Sequence, residues 1–110
     1  MPEGISIVSG NDQYAVTGAS IANPLIALVV DQNGSAFPGA SVTWKVTGGG
    51  GTLSDSTSTS DAGGYARMTY TAGGAPGVAT IVATVAQVWT ATFTVYVVAP
   101  ASSVSTNRVR

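Results

Sequence analysis

A chain of 110 residues in which 45% are apolar and only 8% charged is too hydrophobic to stay disordered, and long enough for one buried core but not for two domains. Its four cations and five carboxylates leave a formal net charge of -1, no footing for nucleic acid. Cys and His are both absent, which excludes thiol nucleophiles, Ser-His-Asp triads, thiolate or imidazole metal sites and disulfides.

The start, Met1-Pro2-Glu3-Gly4, has neither the basic region nor the apolar region of a secretory signal. After a turn at Gly10-Asn11-Asp12, the run Leu25 to Val30 is the longest apolar stretch, far short of the ~20 residues of a membrane helix. No membrane insertion is expected. The run is apolar on both faces and reads as a covered strand. Asn33-Gly34 then supplies the positive φ of a hairpin turn. In Ser41 to Thr47, Val42, Trp44 and Val46 share one face and Ser41, Thr43, Lys45 and Thr47 the other, which places Trp44 in the core.

Gly48 to Gly51 lacks the Lys and helix of a phosphate loop and reads as a flexible turn. Ser54 to Ser60 is polar on both faces, as an edge strand is. Past the turn at Asp61 to Gly64, the same alternation puts Ala66, Met68 and Tyr70 inward, with Tyr65, Arg67 and Thr69 outward. Beyond Gly73 to Gly77, Ile81, Ala83 and Val85 point inward, followed by Ala91, Phe93, Val95 and Val97. Thr90, Thr92 and Thr94 point outward. Val, Thr and Ser are abundant, and Gly and Pro divide the chain at strand-length intervals. The pattern therefore predicts an all-β fold, a two-sheet antiparallel sandwich of seven to eight strands with essentially no helix. Residues 1–99 form this domain and 100–110 a polar basic tail or linker. The body carries two cations and five carboxylates, and the tail Arg108 and Arg110 with no acid.

No residue set reads as catalytic. Asp31 to Gly34 resembles half of a calcium loop but lacks the remaining ligands, and a plain turn explains it. Asp61 suits a turn that bonds its own backbone. The scattered carboxylates argue against glycosidic acid–base work. Asn33-Gly34-Ser35 fits a glycosylation sequon and equally an ordinary turn. Trp89, opening the last strand, is either an exposed platform for a sugar or protein, or a cap on the end of the core. No metal or cofactor is expected.

From about Ile5 to Val98 the chain resembles the bacterial Ig-like domains of the invasin and intimin type, tandem repeats of surface adhesins that also occur in phage structural proteins. The residues that carry this are Ser9-Gly10-Asn11-Asp12-Gln13, Ala22-Asn23-Pro24-Leu25, Val30 to Gly34, Pro38 to Trp44, the glycine run, Ser60 to Ala66, and Pro76-Gly77 before Ile81 to Val85. The resemblance implies an Ig-like sandwich acting as spacer, stalk or binding module, with no catalytic residues. Two departures stand out. Ile26, Leu28 and Val30 occupy outward positions where relatives alternate polar residues, and Ser58 replaces an inward aliphatic, which is expected to weaken its strand.

In Ig-like topology the second and fifth strands are neighbours, so Ile26, Leu28 and Val30 are expected beside Tyr65 as an apolar contact patch. The tail, with Arg108 and Arg110, is expected to lie along another subunit's sheet edge, with Ser54 to Ser60 as acceptor. A Ser-rich charged tail frays unless something holds it. The leading reading is thus a non-enzymatic, extracellular structural or adhesive module, on a bacterial surface or virion, whose partners are proteins or copies of itself. A passive spacer repeat is the alternative. A carbohydrate-binding module with Trp89 or Tyr65 as platform ranks below both.

Overall fold

The computed structural model describes residues 2–99. Arg108, Arg110 and the expected strand addition by the tail lie outside the described residues. The strands in chain order are β1 (Gly4–Ser9), β2 (Gln13–Val16), β3 (Leu25–Val30), β4 (Ser41–Gly48) and β5 (Thr52–Leu53). They continue as β6 (Thr57–Thr59), β7 (Tyr65–Met68), β8 (Tyr70–Thr71), β9 (Gly77–Val85) and β10 (Trp89–Val98), with no helix among the described residues. A three-stranded sheet, β1-β3-β7, faces a five-stranded sheet, β2-β10-β9-β4-β6, and β5 pairs with β8 as a small ribbon. All pairs are antiparallel except β2, which runs parallel to β10.

This is the expected all-β sandwich, divided into ten strands where the turn signals predict seven or eight. One cause is the Gly10-Asn11-Asp12 turn, where φ is +90° at Gly10 and +57° at Asp12. The chain leaves the first sheet there and joins the second, so one N-terminal segment serves an edge of each. The other cause is the ribbon, in which Leu53 pairs with Tyr70 and divides the segment after Tyr65 into two strands.

The alternation predicted for β4, β7, β9 and β10 places Val42, Trp44, Ala66, Met68, Ile81, Ala83, Val85, Phe93 and Val95 in the core. Leu25, Ala27 and Val29 of β3 complete it from the facing sheet. Trp44 packs its ring against Phe93, centroids 5.5 Å apart, and its indole N–H donates to Ser58 Oγ at 2.8 Å. Ser58 therefore does not simply weaken β6. An aliphatic side chain there would leave a buried indole donor unpaired, and the hydroxyl supplies the acceptor. Ser60, buried two residues further on, is satisfied in the same way: its Oγ accepts from Ala40 N and donates to Phe37 O, both at 2.8 Å.

The glycine run after β4 is more constrained than a flexible turn. Gly49, Gly50 and Gly51 all have positive φ, and a Cβ on Gly49 would run into Ala79 Cα and the Val78 carbonyl. The buried Tyr70 donates its O–H to Gly50 O at 2.6 Å, which pins the turn to the ribbon.

Two substitutions test this account. Trp44→Ala should cost about 3–5 kcal/mol in urea unfolding, as loss of a large core aromatic does. Ser58→Ala should cost about 1 kcal/mol by stranding the indole N–H. A neutral Ser58→Ala would mean that water satisfies the indole and that the departure at Ser58 has no structural role.

Candidate protein-contact surfaces

The outer face of β3 is apolar because β3 is the central strand of its sheet, where a side chain is flanked on both sides. Leu28 stands between Ser6 of β1 and Tyr65 of β7, Ile26 between Ser9 and Arg67, and Val30 beside Gly4. The expected adjacency of Leu28 and Tyr65 is present. Ile26, Leu28 and Val30 are half-buried and Tyr65 is exposed, so the face is a low apolar ridge edged by small polar residues. Trp89 pairs with Val85 and shares the inward parity of Ala91 and Phe93. It is 39% exposed.

Asp31 and Asp61 build the same turn twice. Asp31 Oδ1 accepts from Asn33 N at 2.8 Å and Ser35 N at 3.1 Å, while Gly34 N donates to Asp31 O at 3.0 Å. Asp61 Oδ1 accepts from Gly63 N at 2.9 Å and Tyr65 N at 3.0 Å, while Gly64 N donates to Asp61 O at 2.9 Å. Positive φ falls on Gly34 and Gly64 alone. The expectation that Asn33 shares it is corrected: an aspartate that binds the amide two residues on favours an ordinary turn closed by a left-handed glycine, and Asn33 keeps negative φ. In both, Oδ1 is engaged by backbone amides.

Asp61 also pairs with Arg67 at 3.0 Å on the surface. The Tyr65 N–H, acting against some desolvation and helped by Arg67 and the Gly63 N–H, holds the Asp61 carboxyl below its ordinary value. The two turns meet at the end of β3, where Val29 N donates to Gly64 O and Val29 O accepts from Phe37 N, both at 2.8 Å.

At that end lies an open concavity of about 480 Å³, lined by Pro2, Phe37, Gly39, Ala40, Ser41 and Val85 to Gln87. The β9–β10 hairpin forms one wall. Its two turn residues, Ala86 and Gln87, have φ of +56° and +60°, a conformation that hairpins usually give to Asn-Gly. Val88 behind them is 68% exposed.

The opposite end carries an apolar group that the sequence reading passed over. Tyr14 and Val16 of β2 lie beside Tyr96 and Val98 of β10, Tyr96 lies beside Val78 of β9, and the two tyrosine rings are 5.2 Å apart. Tyr14 is the most exposed of these. Continuing the outward set Thr90, Thr92, Thr94 by two steps reaches Tyr96 and Val98, so this signal was present. That β2 would join β10 was not, because parallel pairing across the turn at Gly10 leaves no trace in so short a strand.

Residues 6–98 match the family described as bacterial Ig-like domain (group 1). A search of curated proteins returned no match. Among solved structures, the D00-D0 domain of intimin is similar at 21% identity and TM-score 0.63, over 83% of this chain and 42% of that one. Domains 4–9 of the surface layer protein SbsC are similar at 20% identity and TM-score 0.66, over 91% and 14%. A C-terminal 282-residue fragment of intimin, crystallised with the translocated intimin receptor intimin-binding domain, is similar at 26% identity and TM-score 0.63, over 83% and 32%. The chain spans less than half of each of these structures.

The Asp61 turn has a pH signature. Because its folded pKa lies below that of an ordinary aspartate, its stabilising contribution is complete above the ordinary value and disappears as pH falls through the lower folded value. Asp61→Asn should therefore flatten the dependence of stability on pH in that acid window, measured by urea midpoints. Parallel curves for the two proteins would show that the turn does not depend on the charge.

Proposed function

The chain belongs to the bacterial Ig-like domain family, group 1, and from that membership we propose that it works as a non-enzymatic structural module of an extracellular assembly, on a bacterial surface or a virion, through contacts with proteins. The observation that carries this reading is the distribution of its exposed side chains. Asp31 and Asp61 serve turns, while large apolar side chains are exposed at both ends of the sandwich, Val88 and Trp89 at one and Tyr14, Val16, Val78 and Val98 at the other. Exposed apolar groups gathered in this way mark contact surfaces rather than substrate pockets.

Within this reading the chain self-assembles. Ile26, Leu28, Val30 and Tyr65 offer a lateral face to a neighbour, and Arg108 and Arg110 offer a cationic segment to a body whose first 99 residues carry two cations and five carboxylates. The spacer reading has its own support: Pro2 lies beside the start of β10 and Val98 at its end, so successive domains can follow one another in line. The similar structures are themselves multidomain. A sugar platform draws less support, since neither Trp89 nor Tyr65 has a second ring beside it among the described aromatic pairs.

Sedimentation of the intact chain and of a chain lacking residues 101–110 separates assembly from spacing. The intact chain should associate with rising concentration and the shortened one should remain a folded monomer. An intact chain that stays monomeric leaves the spacer role, and a shortened chain that associates equally well removes the tail from the assembly.

A further inference from the structure

Three features converge on the concavity beside Pro2. Its floor and walls are apolar or small: Phe37, Ala40, Val85 and Ala86. Its hairpin wall keeps two residues with a Cβ in the left-handed region, which glycine or asparagine adopts more readily. An Asn-Gly turn would relieve that strain and replace the Ala86 methyl and the Gln87 stem with smaller or more polar surface.

Its surroundings are acidic. Glu3 follows Pro2 and is bonded to Val30 O, Asp31 follows Val30, and Asp61 follows Ser60, which is bonded to Gly39 and Ala40. Of the two cations among the described residues, Lys45 lies exposed on β4, and Arg67 is already paired with Asp61.

We propose that this concavity receives the segment 104–110 of a second copy of the chain, so that copies join end to end. The proposal rests on the self-assembly reading above and names its acceptor. Charge complementarity supports the occupant, since the segment contains Arg108 and Arg110 and no acid. In extended form Arg108 and Arg110 project to one side and Val109 to the other. Val109 then meets the apolar floor while the guanidinium groups are drawn to the nearby Glu3 and to the Asp31 carboxylate, which its own turn engages through Oδ1.

Length decides between a second copy and the chain's own concavity. β10 ends at Val98, and its ten residues carry the chain away from the concavity by about 33 Å. Residues 99–103, which precede the segment, span at most about 18 Å, too short to bring it back to the concavity of its own copy. A second copy stacked beyond the end of β10 presents its concavity within reach. The β6 edge, the acceptor suggested by sequence, offers only three residues, and the inner one is bonded to Trp44.

The test is an amide NMR concentration series on the intact 110-residue chain at 0.1 M salt, repeated with Arg108→Gln/Arg110→Gln. Concentration-dependent shifts should appear at Glu3, Phe37, Ala40, Ala86 to Trp89 and in residues 104–110. The double variant should raise the apparent dissociation constant roughly 2- to 30-fold, as expected for two exposed charge pairs. Shifts confined to Thr57–Thr59, or to Ile26, Leu28 and Val30, overturn the proposed acceptor while leaving self-assembly intact. An unchanged dissociation constant in the double variant overturns the charge argument. A chain that shows no concentration dependence overturns both this proposal and the assembly reading.

Discussion

The indole of Trp44 joins the two requirements on which the structure depends, a filled space between two sheets and a partner for every buried polar group. Its ring contacts Phe93 across the strand β9 that separates their own strands, so three adjacent strands of the larger sheet share one packed layer. Its N–H reaches outward to Ser58 and binds the short edge strand β6 to that layer. β6 has only three residues and few contacts of its own, and a two-sided polar strand of that length is marginal without such an anchor. Ser60, two residues later, ties the same segment to Phe37 and Ala40 and so connects the edge to the acidic end of the sandwich.

A chain with so little charge cannot rely on ion pairs for shape, and the one surface pair among the described residues, Arg67 with Asp61, reinforces a turn that the aspartate already closes through backbone amides. Exposed pairs of this kind add little in water. Rigidity at the end of β3 comes instead from converging backbone bonds: the Glu3, Phe37 and Gly64 segments all bond to Val29 or Val30. That convergence builds a fixed rim around the concavity beside Pro2. The hairpin wall is the exception, held in a conformation its own residues disfavour. Strain retained at a surface turn, next to exposed Val88, fits a surface shaped for contact.

Most of the sandwich was legible in sequence because its long strands alternate strictly. Val42-Thr43-Trp44, Ala66-Arg67-Met68 and Ala91-Thr92-Phe93 each declare one inner and one outer face, and the structure seats them so. What escaped were features with no period to read. The division of the N-terminal segment between two sheets depends on φ at Gly10 and Asp12, and the parallel pairing of β2 depends on tertiary contacts. The role of Ser58 was misjudged because a polar residue at an inward position reads as a loss until its partner is known. Among the candidate contact residues, Leu28 and Tyr65 were placed together from topology alone, and the structure pairs them. The concavity was invisible because Pro2, Phe37 and Ala86 are far apart in the chain and are brought together only by the end of the fold.

The proposed mode of action is contact between copies, with the basic segment of one engaging the end of the next that carries Glu3 and Asp31. Cryo-electron microscopy of the assembled intact chain tests it most directly. The account predicts copies in line, with density for residues 104–110 of one copy lying between Phe37 and the Ala86-Gln87 hairpin of its neighbour. Density for that segment along β6, or a preparation that remains monomeric under all conditions tried, would contradict it.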